Sequence, residues 1–223
     1  MSKKCVLETR GISKSFSNVR VLNDINFQLH AGEIHALLGE NGAGKSTFIK
    51  ILSGVYMSDS GSVYLNGEEI KPQNPAHIMK LGVATIHQEL VLAPHLSIAE
   101  NICLGDIPSS RGLVNWELVL DRAKQALETI GLSLDPMTPV AELSVAQKQL
   151  VAIARALSFK ANVIIMDEPT SALSEDEVDN LFRIMRELQG RGVAFIYISH
   201  RLASTRFCDR IIYLAGGEIT EVG

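Results

Sequence analysis

Apolar and polar positions follow two different periods along this chain. In residues 21–30 (VLNDINFQLH), Leu22, Ile25, Phe27 and Leu29 largely alternate with polar neighbours, the period of a half-buried strand. Residues 62–70 (SVYLNGEEI) do the same around Asn66-Gly67, a pair that tolerates positive φ and so predicts a tight hairpin. Between them EIHALLG (33–39) is an unbroken apolar run that leads into a glycine-rich loop. A helix is predicted next, roughly Lys45 to Ser53, with Gly54 as its C′ residue.

From about 90 to 158 the pattern turns helical. Asn115 is placed to cap a helix in which Leu120, Ala123, Leu127 and Ile130 recur at helical spacing, with Gly131 as its end. Trp116, at the start of that helix, is read as a packing residue, and most of the six histidines (His30, His35, His77, His87 and His95) as packing or surface residues. The last third alternates again. ANVIIMDE (161–168) and VAFIYIS (193–199) are unbroken apolar strands, and between them Ser174 and Glu177 form a capping box. Val178, Leu181, Phe182, Met185 and Leu188 line one face of the helix that follows, with Gly190 as its expected end. Gly216-Gly217 predicts a closing hairpin.

Apolar strands alternating with helices predict an α/β fold whose core is a mainly parallel sheet covered on both faces. An antiparallel β subdomain and a helical subdomain are expected as additions to that core. The chain reads as one domain over 1–223, with β elements and core at about 1–89 and 159–223 and helices at about 90–158.

Composition removes several classes of function. The chain has 223 residues, 46% hydrophobic and 21% charged, with a net charge of −4. That acidic balance argues against a nucleic-acid partner, because phosphate neutralisation calls for a basic excess. No apolar stretch approaches the roughly 18–20 residues needed to span a bilayer. Met1-Ser2-Lys3-Lys4-Cys5 is not followed by the apolar run of a secretion signal. Cys5, Cys103 and Cys208 have neither disulfide nor metal spacing, and a reducing compartment is expected.

Three segments carry chemistry. Gly39-Glu40-Asn41-Gly42-Ala43-Gly44-Lys45-Ser46 fits G-x-x-x-x-G-K-[ST], with an apolar strand before it and a helix after it. Its glycines let successive N–H groups point inward, and a helix N-terminus adds its positive end. Lys45 is a point charge for the β- and γ-phosphates of a nucleoside triphosphate, and the Ser46 hydroxyl is placed to ligate Mg²⁺. The apolar strand 163–166 ends in Asp167-Glu168, which puts two carboxylates at the ligand-binding edge of a parallel sheet. Asp167 is assigned to Mg²⁺ and Glu168 to the general base that polarises a water in line with the γ-phosphate. In the third segment, 143–157, Ser144 and Gln147 form a capping box on a strong helix, a second N-terminus suited to an anion. One nucleotide does not need both ends from one subunit, so a dimer sharing nucleotides is expected.

Together GENGAGKST (39–47), HQEL (87–90), LSVAQKQLVAIARAL (143–157), DEPTSALS (167–174) and ISHRL (198–202) make the chain resemble an ABC-type ATPase with a P-loop NTPase fold. The group it is most similar to is the ATP-binding subunit of ribose/galactose/xylose-type sugar importers, and the likeness covers essentially the whole chain. The resemblance implies that ATP is the substrate, Mg²⁺ the metal, and monosaccharide import the work done. It implies that Gln88 contacts Mg²⁺ or the attacking water, that His200 hydrogen-bonds the γ-phosphate, and that Thr47 reaches the α-phosphate. Phe16 would stack on adenine. Ser144, Val145, Ala146 and Gln147 would meet the γ-phosphate held by an opposite subunit. Implied partners are a second ATPase domain (homodimer or fused half), membrane permease subunits and, indirectly, a periplasmic sugar-binding protein. The region holding Ala99-Glu100-Asn101-Ile102 would dock the permease, and the location would be peripheral, on the cytoplasmic face of the membrane.

Two departures stand out. Val145 and Ala146 replace the usual pair of glycines after the signature serine, adding bulk and restricting φ. Ser174 replaces a common aspartate, keeping a helix cap but losing a carboxylate. Importers of this group usually fuse two ATPase halves, whereas this chain has one set of motifs, as expected of a first-half fragment or a single-domain chain. Two alternatives remain: a soluble ABC ATPase acting on ribosomes or DNA, and a non-catalytic nucleotide-sensing half. A GTPase is disfavoured because no Asn-Lys-x-Asp motif occurs.

Overall fold

The computed structural model describes residues 3–88, 90–110, 112–199 and 202–222. The chain opens with two long strands, β1 (Cys5–Phe16) and β2 (Val19–His30), and then β3 (Ile34–Leu38). The helix α1 (Lys45–Leu52) is followed by β4 (Ser60–Leu65), β5 (Glu68–Ile70), α2 (Pro75–Lys80) and β6 (Val83–Ile86). Next come α3 (Ile98–Cys103), a small hairpin of β7 (Ser109–Ser110) and β8 (Leu113–Val114), α4 (Trp116–Thr129) and α5 (Val145–Ser158). The last part runs β9 (Val163–Asp167), α6 (Glu175–Gly190), β10 (Ala194–Ile198), β11 (Arg210–Ala215) and β12 (Glu218–Val222).

The strands form two main sheets. One is antiparallel in the order β2-β1-β4-β5; the other has six strands in the order β12-β11-β3-β10-β9-β6. Its five strands from β11 to β6 run parallel and only the edge strand β12 is antiparallel. The unbroken apolar runs account for this. β3 and β10 are buried at every position, as strands must be when both faces of a parallel sheet are covered. The period of two then divides their side chains. Val163 and Ile165 of β9 join α1 and the antiparallel sheet in one core, built on Phe48, Ile49, Leu22 and Phe27. Ile164 and Met166 face the other core, with α3, α4, α5 and α6.

Local signals set the element ends. Asn66 and Gly67 both have positive φ between β4 and β5, as do Gly216 and Gly217 between β11 and β12, matching the two predicted hairpins. Asn115 accepts from the Leu118 N–H, and Ser144 with Gln147 and Ser174 with Glu177 close capping boxes. After α1, Gly54 donates to Ile51 and Val55 to Lys50, so the helix stops in a Schellman turn.

Gly190 is the last residue of α6, as expected, and the left-handed C′ position falls on Gly192, where the Val193 N–H closes the turn on Leu188. Other local expectations need correcting. On α4 the buried stripe passes through Val119, Ala123, Ala126 and Leu127, and Leu120 sits only part-way in. Trp116 is 49% exposed, so it packs only in part. The β7–β8 hairpin inside the helical region had no signal in the apolar pattern.

α5 ends in the same turn as α1, but its C′ residue is Lys160 at φ +60, exposed and without glycine's freedom. A left-handed residue with a Cβ costs about 1 kcal/mol. Lys160→Gly should therefore melt about 2–4 °C higher in a thermal scan, the shift expected for that energy in a chain of this size. An unchanged or lower melting temperature would refute the strain.

Candidate functional site

The loop 39–44 leaves the end of β3 and turns into α1 at Lys45. Two of its glycines are sterically required. A Cβ on Gly39 would run into the Leu214 carbonyl oxygen. Gly44 has φ +108, and a Cβ there would lie 2.7 Å from Leu22 Cδ2 and 2.8 Å from the Val21 carbonyl oxygen. Gly44 is also the N-cap of α1, and no side chain caps that helix. Among the described residues the other five α-helices are all capped, by Asn74, Ser97, Asn115, Ser144 and Ser174. The first amides of α1 are thus left to a ligand that accepts hydrogen bonds, and the helix dipole favours an anion. The Lys45 ammonium folds back over the loop, donating to the carbonyls of Gly39 (2.6 Å) and Glu40 (2.9 Å).

Across a cleft of about 340 Å³ the loop faces the end of β9. Asn41, Gly42, Gly44, Lys45, Ser46 and Thr47 line one side, Asp167 and Glu168 the other, and Val21 and Ile198 complete the walls. Most of the predicted loop and both predicted carboxylates therefore share one cavity. Burial raises the Asp167 carboxyl above the usual carboxylate range, and the adjoining Glu168 charge raises it further, while His87, Lys45 and Lys50 pull it down. Glu168 has φ +46, and its N–H donates to the Ile198 carbonyl at 3.0 Å.

The donor chemistry here suits a hard divalent cation bound together with phosphate. A hydroxyl (Ser46) and a carboxylate (Asp167) lie in one cleft, both oxygen donors. Among the described residues no cluster of three His, Cys, Asp or Glu side chains forms a self-sufficient cage. Phosphate oxygens and water would supply the remaining ligands.

Other predicted residues lie apart from the cleft lining. Ala43 is buried beneath the loop, whereas Glu40 is exposed, with its carbonyl under Lys45. Gln88 is exposed in a bend just beyond β6, the strand beside β9. Phe16, at the end of β1, is 40% exposed and meets Tyr56 edge-on at 5.3 Å, so it is not core. His200 lies outside the described residues. Ser144, Val145, Ala146 and Gln147 form the first turn of α5, and Val145 is 45% exposed. That turn is closed on itself: the Gln147 amide oxygen accepts the Ser144 N–H at 2.9 Å, and the Ser144 hydroxyl accepts the Gln147 N–H at 3.2 Å. Ala99, Asn101 and Ile102 on α3 are fully buried, with Asn101 holding the carbonyls of Ala93, Leu96 and Ser97. They shape the neighbouring loop and cannot themselves touch a partner.

Two features escaped the reading of the sequence. Val21 reaches the cleft only because β2 crosses beside the loop, and the close approach at Gly44 is its one trace in the sequence. The capping box of Ser97 and Glu100 on α3 was legible as S-x-x-E.

A family model for ABC transporters matches residues 22–171. The chain belongs to this family. Among solved structures, a nucleotide-free ATP-binding cassette from an ABC transporter superposes with a TM-score of 0.87 at 28% identity, covering 97% of this chain and 90% of that one. A dimeric cassette in a post-hydrolysis state bound to ADP and phosphate gives 0.81 at 27% identity, covering 97% of both chains. Curated relatives include an arabinose import ATP-binding protein of Escherichia coli (49% identical, 88% of this chain and 39% of that protein). A ribose import ATP-binding protein of Chromobacterium violaceum is 47% identical over 93% of this chain and 42% of its own length. The ABC chain described here thus spans about two fifths of the curated relatives it matches. No helix among the described residues is long and apolar enough to cross a membrane.

The strain on Asp167 has a measurable sign. Its folded pKa lies above the ordinary value of about 3.9, so at neutral pH the native state holds a carboxylate that burial and Glu168 disfavour. Without nucleotide or metal, Asp167→Asn should melt at a higher temperature than the parent at pH 7. The gap should narrow as pH falls through the raised pKa and vanish below about pH 3.9. A variant that melts no higher at pH 7 would show that the charge is not disfavoured.

Proposed function

We propose that this ABC cassette hydrolyses Mg-ATP and that hydrolysis drives import of a monosaccharide through separate membrane subunits. The observation that carries the enzymatic part is the uncapped α1 facing Asp167 and Glu168 across one cleft. The names of relatives at 47–49% identity support the sugar class.

In this reading the triphosphate docks on the loop amides and the end of α1. Lys45 exchanges the carbonyls of Gly39 and Glu40 for β- and γ-phosphate oxygens. Ser46 and Asp167, with Gln88, would hold Mg²⁺, which when bound would neutralise charge that develops on the phosphates. Glu168 takes a proton from a water in line with the γ-phosphate, His200 steadies that phosphate, and Thr47 meets the α-phosphate. Phe16 offers an exposed ring for adenine. Most of the rate enhancement then comes from positioning and fixed charge.

The partners that fit are a second cassette contributing its Ser144 end, and permease subunits on the cytoplasmic side of the membrane. A groove of about 240 Å³ between α2, the end of β6 and α5, lined by Met79, His87, Leu92 and Arg155, supports permease docking next to Gln88. A second reading, a cassette that binds nucleotide without turnover, is favoured by one observation. The exposed Val145 side chain stands at the first position of α5, where a close phosphate would pass.

Two measurements test the proposal. Lys45→Ala should lose nucleotide affinity, and unchanged affinity would overturn the phosphate site. Glu168→Gln should bind ATP normally but turn over at least about 10²-fold more slowly, the scale of a general base. With that variant as the blank, hydrolysis per subunit should climb with protein concentration as copies pair. ATP binding without turnover at any concentration would support the second reading.

A further inference from the structure

The turn that carries Glu168 is held from three directions. Glu168 donates its N–H to Ile198 of β10. The Thr170 hydroxyl shares a buried 2.8 Å hydrogen bond with the Tyr197 hydroxyl, also on β10. The third hold comes from α5. The Gln149 side-chain Nε2 donates to the Pro169 carbonyl at 3.3 Å, across 20 residues of sequence, with Gln149 only 4% exposed.

We propose that Gln149 is a positioning residue for Glu168, tying the Ser144 end of α5 to the acid-bearing turn through the Pro169 carbonyl. This rests on the ATPase reading above.

The choice of side chain carries the argument. The Gln149 Oε1 is buried and has no hydrogen-bond partner. The amide cannot be turned round to satisfy it, because Pro169 offers only an acceptor and the two oxygens would then oppose each other. A leucine of similar size would remove the unpaired Oε1 but leave the buried Pro169 carbonyl without its Nε2 donor. It trades one unpaired polar atom for another, so glutamine gains little by way of stability alone. What glutamine adds is one directed bond to the residue next to Glu168, whose left-handed φ persists only while its surroundings enforce it. Gln149 also sits just over one helical turn from Ser144, on the same rigid element. A phosphate that shifts the start of α5 therefore moves the Pro169 carbonyl, and with it the carboxylate in the other cleft.

The test compares the 223-residue chain with Gln149→Leu and Gln149→Glu. Gln149→Leu, which exchanges one unpaired polar atom for another, should melt within about 4 °C of the parent, keep KM for ATP within about twofold and lose roughly tenfold in kcat. Hydrogen exchange should quicken at Ser171 and Leu173, whose N–H groups close the turn on Glu168 and Thr170. Gln149→Glu should recover turnover at low pH, where the protonated acid can donate to Pro169 as the amide does, and lose it as the carboxyl ionises. A Gln149→Leu variant with parental kcat and exchange would overturn the proposal. So would a kcat that falls only in step with the melting temperature. If the parent itself does not hydrolyse ATP, the ATPase reading fails on its own, and the exchange at Ser171 and Leu173 still decides whether Gln149 holds the turn.

Discussion

Every helix begins with amides that its own backbone cannot satisfy, and a protein must find acceptors for them. Among the described residues five α-helices supply an asparagine or serine for the purpose, and α1 supplies no side-chain cap. The glycines that shape the loop before it are the same residues that deny it a side-chain cap. Much else follows from that gap. The strand β3 must deliver the loop to the sheet edge, β2 must pass close enough to exclude any Cβ at Gly44, and β9 must end opposite.

The opposite wall shows the matching constraint. Two adjacent carboxylates at the end of a buried strand repel each other, and burial raises the pKa of the inner one. A sequence selected only for stability would not place them there. Their cost is contained by the sheet, because β10 pairs with β9 along its full length and accepts the backbone N–H of Glu168. A helix start without a side-chain cap on one side and two adjoining carboxylates on the other line the same cleft, an arrangement that suits an anion accompanied by a cation.

Much of this was legible before any coordinates. Periods of two and 3.6 marked strands and helices, Asn66-Gly67 and Gly216-Gly217 marked hairpins, and S-x-x-E/Q marked helix starts. These signals work because they are local, each set by a few neighbouring backbone angles. What stayed hidden depends on distance. Val21 lines the cleft because two sheets meet there, and no pattern within β2 announces it. Gln149 reads as one more polar residue on α5 until Pro169 arrives from 20 positions away. Gly190 does end α6, but the left-handed residue that closes its turn is Gly192, two positions on, and the helical pattern alone did not separate these two glycines. Trp116 departs for a different reason: a large apolar ring was expected to be covered, and the fold leaves about half of it exposed.

The capping box at Ser144 makes the two helix ends unequal in a way the motifs do not show. At α1 an incoming phosphate meets amides that no side chain occupies. At α5 it meets a serine and a glutamine already hydrogen-bonded to each other's backbone. A weakly held or poorly aligned anion gains little by displacing that internal bond, whereas a well-placed one replaces it with stronger, charge-assisted contacts. In the proposed reading, the start of α5 would therefore act as a threshold, since a phosphate arriving there must compete with the capping box that already closes the turn.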